Sequence, residues 1–269
     1  MEIKLGLVMA AMLGSFGCAT SGVERGQPGV AGVDSDGIPT AWSPGAVTGA
    51  AACHATSRAK VLARRVFVPG GVEASEKDGS ISVRFATAAS RCVAVDLGSA
   101  SDSPHPASCP SPGAHTTARA DSSDETMLAW ESHDGEEPHI KLGVVTYDAP
   151  HAFFGVGIEG KPHVVERTFY APGESRASEM APELAPIGHD RFLLAWVEGD
   201  VESHQVRAQS VAGWGDALGP SMVLSPAEAS VIGRPSVVVA PTGYGLVTYV
   251  ASMGDEFDVL ATPIACAMN

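Results

Sequence analysis

Apolar residues in this chain come in short bursts, divided by Gly, Pro, Asp and Ser. ISVRFAT from Ile81 and KLGVVTY from Lys141 alternate apolar and polar positions, and HQVRAQSV from His204 and SVVVAP from Ser236 are of similar length. Short, β-branched runs bounded by turn residues predict strands rather than helices. Only Ala55 to Arg65 reads as a candidate helix, and Val66 to Val68 then turns extended again. Residues 53–269 are therefore expected to be nearly all β.

The pattern also repeats. Around Trp196 an apolar strand is followed by the acidic turn EGDVESH, the strand QVRAQSV, the glycine-rich turn AGWGDALG and the strand PSMVLS. Around Tyr249, LVTYV leads into the acidic ASMGDEFD and then VLATPIAC; around Trp130, TMLAWES leads into HDGEEPH and then IKLGVVTYD. GSISVRFATAASRCVAVDL is a more divergent copy, with Phe85 in the aromatic position. Trp130, Trp196 and Tyr249 lie 66 and 53 residues apart, so the repeat is irregular and carries insertions. Large aromatics at equivalent strand positions are expected to fill gaps between sheets, each burying roughly 150–250 Å².

The stretch FLLAWVEG…QVRAQSVAGWGDALGPSMVLS resembles the repeat of secreted bacterial β-propellers, in which a strand ending in AW is followed by one containing AQ and then by a Gly turn and LG. The likeness is best over Arg191 to Ser225, weaker over Arg234 to Cys266, and weakest before Pro150. It implies a small β-propeller of about four to five blades, at the low end for a complete ring and irregular in its repeats.

The amino terminus adds an address. Lys4 precedes the apolar LGLVMAAML, which is too short to span a bilayer, and small residues lead to Cys18. Residues 1–17 are read as a signal peptide. Gly17-Cys18 resembles a bacterial lipoprotein signal, which implies lipid on Cys18 and membrane tethering through it; Ser15 and Phe16 depart from that pattern. Ala19 after the cysteine implies the outer membrane, on its periplasmic or surface side, with simple secretion as the alternative. Residues 18–52 are rich in Gly, Ala, Ser and Pro and are read as a flexible tether. Within them DSDG (Asp34 to Gly37) is a polar turn, since Ile38, Thr40 and Trp42 occupy the later positions of a calcium loop.

Four further cysteines allow three pairings. The preferred one joins Cys92 to Cys109, stapling a proline-rich loop, and Cys53 to Cys266, closing the folded body.

Chemistry is scarce. A formal net charge of −14, with no basic run interleaved with aromatics, argues against nucleic acid. No Gly-x-Ser-x-Gly elbow, phosphate-cradling loop or Cys-x-x-Cys occurs, and the Ser-x-Asp-x-Gly-x-x-Trp turn and arginine cluster of sialidase-like propellers are not recognisable either. No catalytic residue is nominated, and neither a cofactor nor a metal is expected. The densest polar cluster, SHDGEEPH, is read as a solvated hairpin. Candidate partner-binding residues are His133, Asp134 and Glu136 in that turn, His204 and Asp255 in the corresponding turns, and Trp214 in GWGD. The leading functional expectation is a monomeric, non-enzymatic envelope lipoprotein that presents loops to a protein or glycan partner. The alternatives are a propeller-type carbohydrate-active hydrolase or lyase, which requires convergent carboxylates from distant segments, and a structural lipoprotein with no specific ligand.

Overall fold

The computed structural model describes residues 53–67, 71–97, 103–110, 117–121, 126–133, 138–147, 162–168, 179–188, 191–200, 203–213 and 215–268. All belong to one compact unit. The expected Cys18 lipid site, signal peptide and tether lie outside the described residues.

Every regular element among the described residues is a strand, and the strands form four small antiparallel sheets. Sheet I holds β3 (Val72–Lys77), β4 (Ser80–Ala86), β5 (Cys92–Leu97) and β6 (His105–Pro106). Sheet II holds β7 (Thr117–Asp121), β8 (Thr126–Ser132), β9 (His139–Tyr147) and β10 (Pro162–Thr168). Sheet III holds β11 (Glu179–Pro186), β12 (Arg191–Asp200), β13 (Ser203–Ala212) and β14 (Met222–Val223). In sheet IV, β15 (Ser230–Val239), β16 (Tyr244–Met253) and β17 (Glu256–Cys266) are completed on the far edge of β17 by β1 (Cys53–Ala55) and β2 (Lys60–Ala63). Up-and-down sheets packed face to face make the arrangement propeller-type, as expected.

Local chemistry sets the hairpins. Asp78 and Gly79 both have positive φ, 53° and 83°, so the two-residue β3–β4 turn matches the right-handed twist of its strands. Gly254, at φ 81°, is the first central residue of the β16–β17 turn.

Alternation then fills both faces of the middle strands. On β12, Phe192, Leu194 and Trp196 enter a cluster with Met127, Ile140 and Leu142 of sheet II. Leu193, Ala195 and Val197 point the other way, into a cluster with Val247, Tyr249 and Leu260 of sheet IV. A third cluster joins Ile81, Val83 and Phe85 to Leu246, Val250 and Val259. The anchors read from the repeat are thus each on the second strand of a sheet, and Phe85, Trp196 and Tyr249 are buried. Trp130 departs from the expectation of a core residue: it is half-buried and belongs to none of the three clusters. Its neighbours of alternate parity, Met127 and Ala129, take the buried face of β8 instead.

The expected helix over Ala55 to Arg65 is corrected. β1, β2 and the link between them lie along β17, with Thr56 N–H donating to the Pro263 carbonyl (3.0 Å) and Val66 N–H to that of Phe257 (2.8 Å). An edge strand with free backbone groups satisfies this segment as well as helical bonding would, and Leu62 is buried by it. Both expected disulfides are present, Cys53–Cys266 and Cys92–Cys109. Cys53 and Cys266 face each other directly in the β1–β17 register, which ties the first strand to the last.

Candidate functional site

The first strand of each sheet carries the site. β11 packs against β7 and β15, and β15 packs against β3. Two of these strands break register. β11 shifts between Met180 and Glu183, with Ala181 at φ 52° and Pro182 next; β15 shifts between Ile232 and Ser236, with Gly233 at φ 75° followed by Arg234 and Pro235. A bulge leaves residues outside the ladder and re-aims their side chains, and proline, having no N–H, is accommodated there.

The two bulges interlock. Arg234 donates Nε to Glu183 Oε2 (2.8 Å), and its Nε and Nη2 both reach the Pro182 carbonyl (3.0 and 2.5 Å). The Ala181 N–H donates to Glu131 Oε2 of β8 (3.2 Å), whose other oxygen meets His133 Nε2 at 2.8 Å. On the other side the Ala74 N–H of β3 donates to Ser236 Oγ (2.9 Å). Beside Ala74, Glu73 pairs with Arg84 of β4, and Arg84 Nη1 donates to Ser108 Oγ (2.7 Å). A polar seam therefore joins β15 to β11 through Arg234 and Glu183, β11 to Glu131 of β8, and β15 to β3 through Ser236 and Ala74, next to the Glu73–Arg84 pair.

Burial pushes the Glu183 carboxyl above its ordinary value of 4.5; Arg234 pulls it back, and the charge of Glu73 pushes it up again. The two carboxylates lie 110 residues apart in sequence, and the charge of Glu73 is felt at Glu183. They remain reachable, with 28% of the Glu183 and 37% of the Glu73 side chain exposed. A carboxyl raised by burial can give a proton to a ligand oxygen, and a second, ionised carboxylate can accept one. Among the described residues no group of three His, Cys, Asp or Glu side chains is placed to hold a metal ion.

Of the residues nominated from sequence, His133 is exposed beside Glu131, His204 is half-buried opposite Gly199, and Asp255 is exposed in the β16–β17 turn. They occupy equivalent hairpins of three sheets. Trp214, Asp134 and Glu136 fall outside those residues. Glu73, Arg84, Glu183 and Arg234 were not legible as a group. The one local signal was a proline following a small residue or arginine inside a strand, in MAPE and IGRPS.

No family model and no curated protein matches the chain. Solved structures similar to it include a GH43 endo-arabinanase from Bacillus licheniformis, at TM-score 0.33 and 10% identity over 73% of this chain and 76% of that one. An endo-arabinase from Bacteroides thetaiotaomicron gives TM-score 0.34 and 14% identity over 73% and 75%. A subtype N10 neuraminidase-like protein of A/little yellow-shouldered bat/Guatemala/060/2010 gives 0.33 and 10% over 74% and 56%. Likenesses this distant carry no activity across to the chain. The expectation of a non-enzymatic presenting module is nevertheless corrected. The neighbours are named endo-arabinanase, endo-arabinase and neuraminidase-like protein, and nothing found supports a non-enzymatic role.

Proposed function

We propose that this chain is a carbohydrate-active hydrolase or lyase of propeller form, working at the seam between its inner strands. The observation that carries the reading is the seam in which Glu183 of sheet III is held by Arg234 of sheet IV, while Ser236 of sheet IV bonds to Ala74 beside the Glu73–Arg84 pair of sheet I. In this reading Glu183, which retains its proton more readily, protonates the departing glycosidic oxygen, and Glu73 acts as base or nucleophile. Arg234 holds the bulge that aims Glu183, and Arg84 pairs with Glu73 across the regular β3–β4 ladder.

Four blades, with β1 and β2 completing the last one and the Cys53–Cys266 bridge latching it, make the scaffold. The body is exported, which its disulfides fit, and is held at the outer membrane by lipid on Cys18 through the tether of residues 18–52.

The test is a panel of plant and microbial polysaccharides, with release of reducing ends read for hydrolysis and ultraviolet absorbance of unsaturated ends for elimination. Cleavage that falls by about 100-fold or more in Glu73→Gln and Glu183→Gln supports the reading. Cleavage that survives both substitutions in folded protein removes it.

A further inference from the structure

A concavity whose lining shares no residue with the inner-strand seam lies where the outer edges of sheets III and IV meet. It encloses about 590 Å³, within the range of small-ligand sites, and its wall includes Ala55, Arg58, Val223, Leu224, Glu228 and Thr262. Leu224 and Thr262 are buried, and Val223 is 49% exposed, one of the few large apolar side chains left in solvent among the described residues.

The strand registers show what the walls offer. Leu224 N–H donates to the Val206 carbonyl, so the pair one step back, Arg207 and Val223, is a non-hydrogen-bonded one, and the Val223 N–H and C=O point away from β13. Thr56 N–H donates to the Pro263 carbonyl, so by the same alternation the N–H and C=O of Ala55 point away from β17. Two strand edges from two sheets therefore each turn one outward-facing residue, with its donor and acceptor, toward the same cavity. Strands of two and three residues are too short to recruit a long partner strand. They suit a ligand of a few residues.

Charge narrows the ligand further. The Arg58 and Glu228 side chains, both exposed at this cavity, have no hydrogen-bond or ion-pair partner among the described residues. A cation and an anion left unpaired at one cavity complement a ligand carrying both charges.

We propose that this rim cavity binds a short, extended, zwitterionic peptide. Its main chain pairs with the edges at Ala55 and Val223, its carboxylate meets Arg58 and its ammonium group meets Glu228. The site is separate from the Glu73–Glu183 seam, so the two readings fail independently.

The probe is the free tripeptide Val-Ala-Val, titrated into the isotope-labelled full chain and followed through amide resonances. The expected result is saturable shifts at Ala55 and Val223, with binding weakened about tenfold or more by Arg58→Ala or Glu228→Ala. Acetylating and amidating the tripeptide should weaken it similarly, and methylating its central amide nitrogen should weaken it too. Both substitutions are at exposed side chains, and an otherwise unchanged amide spectrum confirms the fold. Absence of saturable shifts overturns the proposal, as do unchanged affinities in both variants. A blocked peptide that binds as tightly as the free one overturns it in favour of a strand from a longer polypeptide.

Discussion

Trp196 and Trp130 stand at corresponding places in β12 and β8, yet replacing them by alanine should cost very different amounts. Trp196 is fully buried between sheets II and III, and its Nε1 donates to Glu198 Oε2 (3.2 Å). Removing a buried indole typically costs about 3–5 kcal/mol through lost burial and the cavity left behind. The substitution also strips one donor from Glu198, itself buried, leaving Arg207 Nε at 3.0 Å as its remaining charged partner. A cost near the top of that range follows, a large share of the roughly 5–15 kcal/mol available to an ordinary domain. Trp130 is half-buried and outside the three apolar clusters, so its loss should cost less than about 2 kcal/mol. Urea unfolding under oxidising conditions, followed by far-ultraviolet circular dichroism, measures both through the midpoint at constant slope. Trp196→Phe, which keeps a ring in the gap, should fall between and covers the case in which the alanine variant does not fold. If Trp130→Ala is as costly as Trp196→Ala, the assignment of the buried aromatics to three inter-sheet gaps is wrong.

Other outcomes follow from the same geometry. The Cys53–Cys266 bridge spans 213 residues and the Cys92–Cys109 bridge 17, so in the chain-entropy model their removal costs about 5 and about 3 kcal/mol; paired Cys→Ala variants in urea should keep that order. Gly233 has φ 75° and open space where a Cβ would stand, so Gly233→Ala should cost about 1 kcal/mol from backbone conformation alone. Ala181, already at φ 52° in the matching bulge, should accept glycine with little change or a small gain in thermal midpoint. The Asp96 carboxylate accepts from His105 Nε2 at 2.9 Å and raises the imidazole above its ordinary 6.5. The pair's support for β6 is therefore present below 6.5 and fades as pH rises through the higher folded value. Nuclear magnetic resonance titration should place the His105 midpoint above 6.5, returning toward it in Asp96→Asn.

What the sequence made legible was the repeating unit. Phe85, Trp196 and Tyr249 could be aligned because a bulky ring at one strand position is a packing demand that recurs wherever two sheets face each other. The disulfide pairs were readable because four cysteines have only three pairings, and one of these staples a proline-rich loop and joins the two ends of the body. Ala55 to Arg65 misled because its short apolar run matches either period, and only the distant edge of β17 decides it. β11 escaped notice because two prolines break its pattern, although its bulge is what positions Glu183. The seam itself was hidden for a related reason. Glu183 and Arg234 are ordinary surface charges in sequence and become neighbours only where sheets III and IV meet, and the Glu73–Arg84 pair of the β3–β4 hairpin joins them only through the packing of β3 on β15.

The central claim is that Glu183 serves as the proton donor of a glycan-cleaving seam, and the pH dependence of kcat/KM on a cleaved polysaccharide tests it most directly. Because burial raises the Glu183 carboxyl, activity should be lost as pH climbs through a value above the ordinary 4.5. That alkaline limb should vanish in Glu183→Gln, which retains only a small, pH-flat residue of activity. An alkaline limb that persists unchanged in Glu183→Gln, or a wild-type chain that cleaves no polysaccharide, would contradict the account.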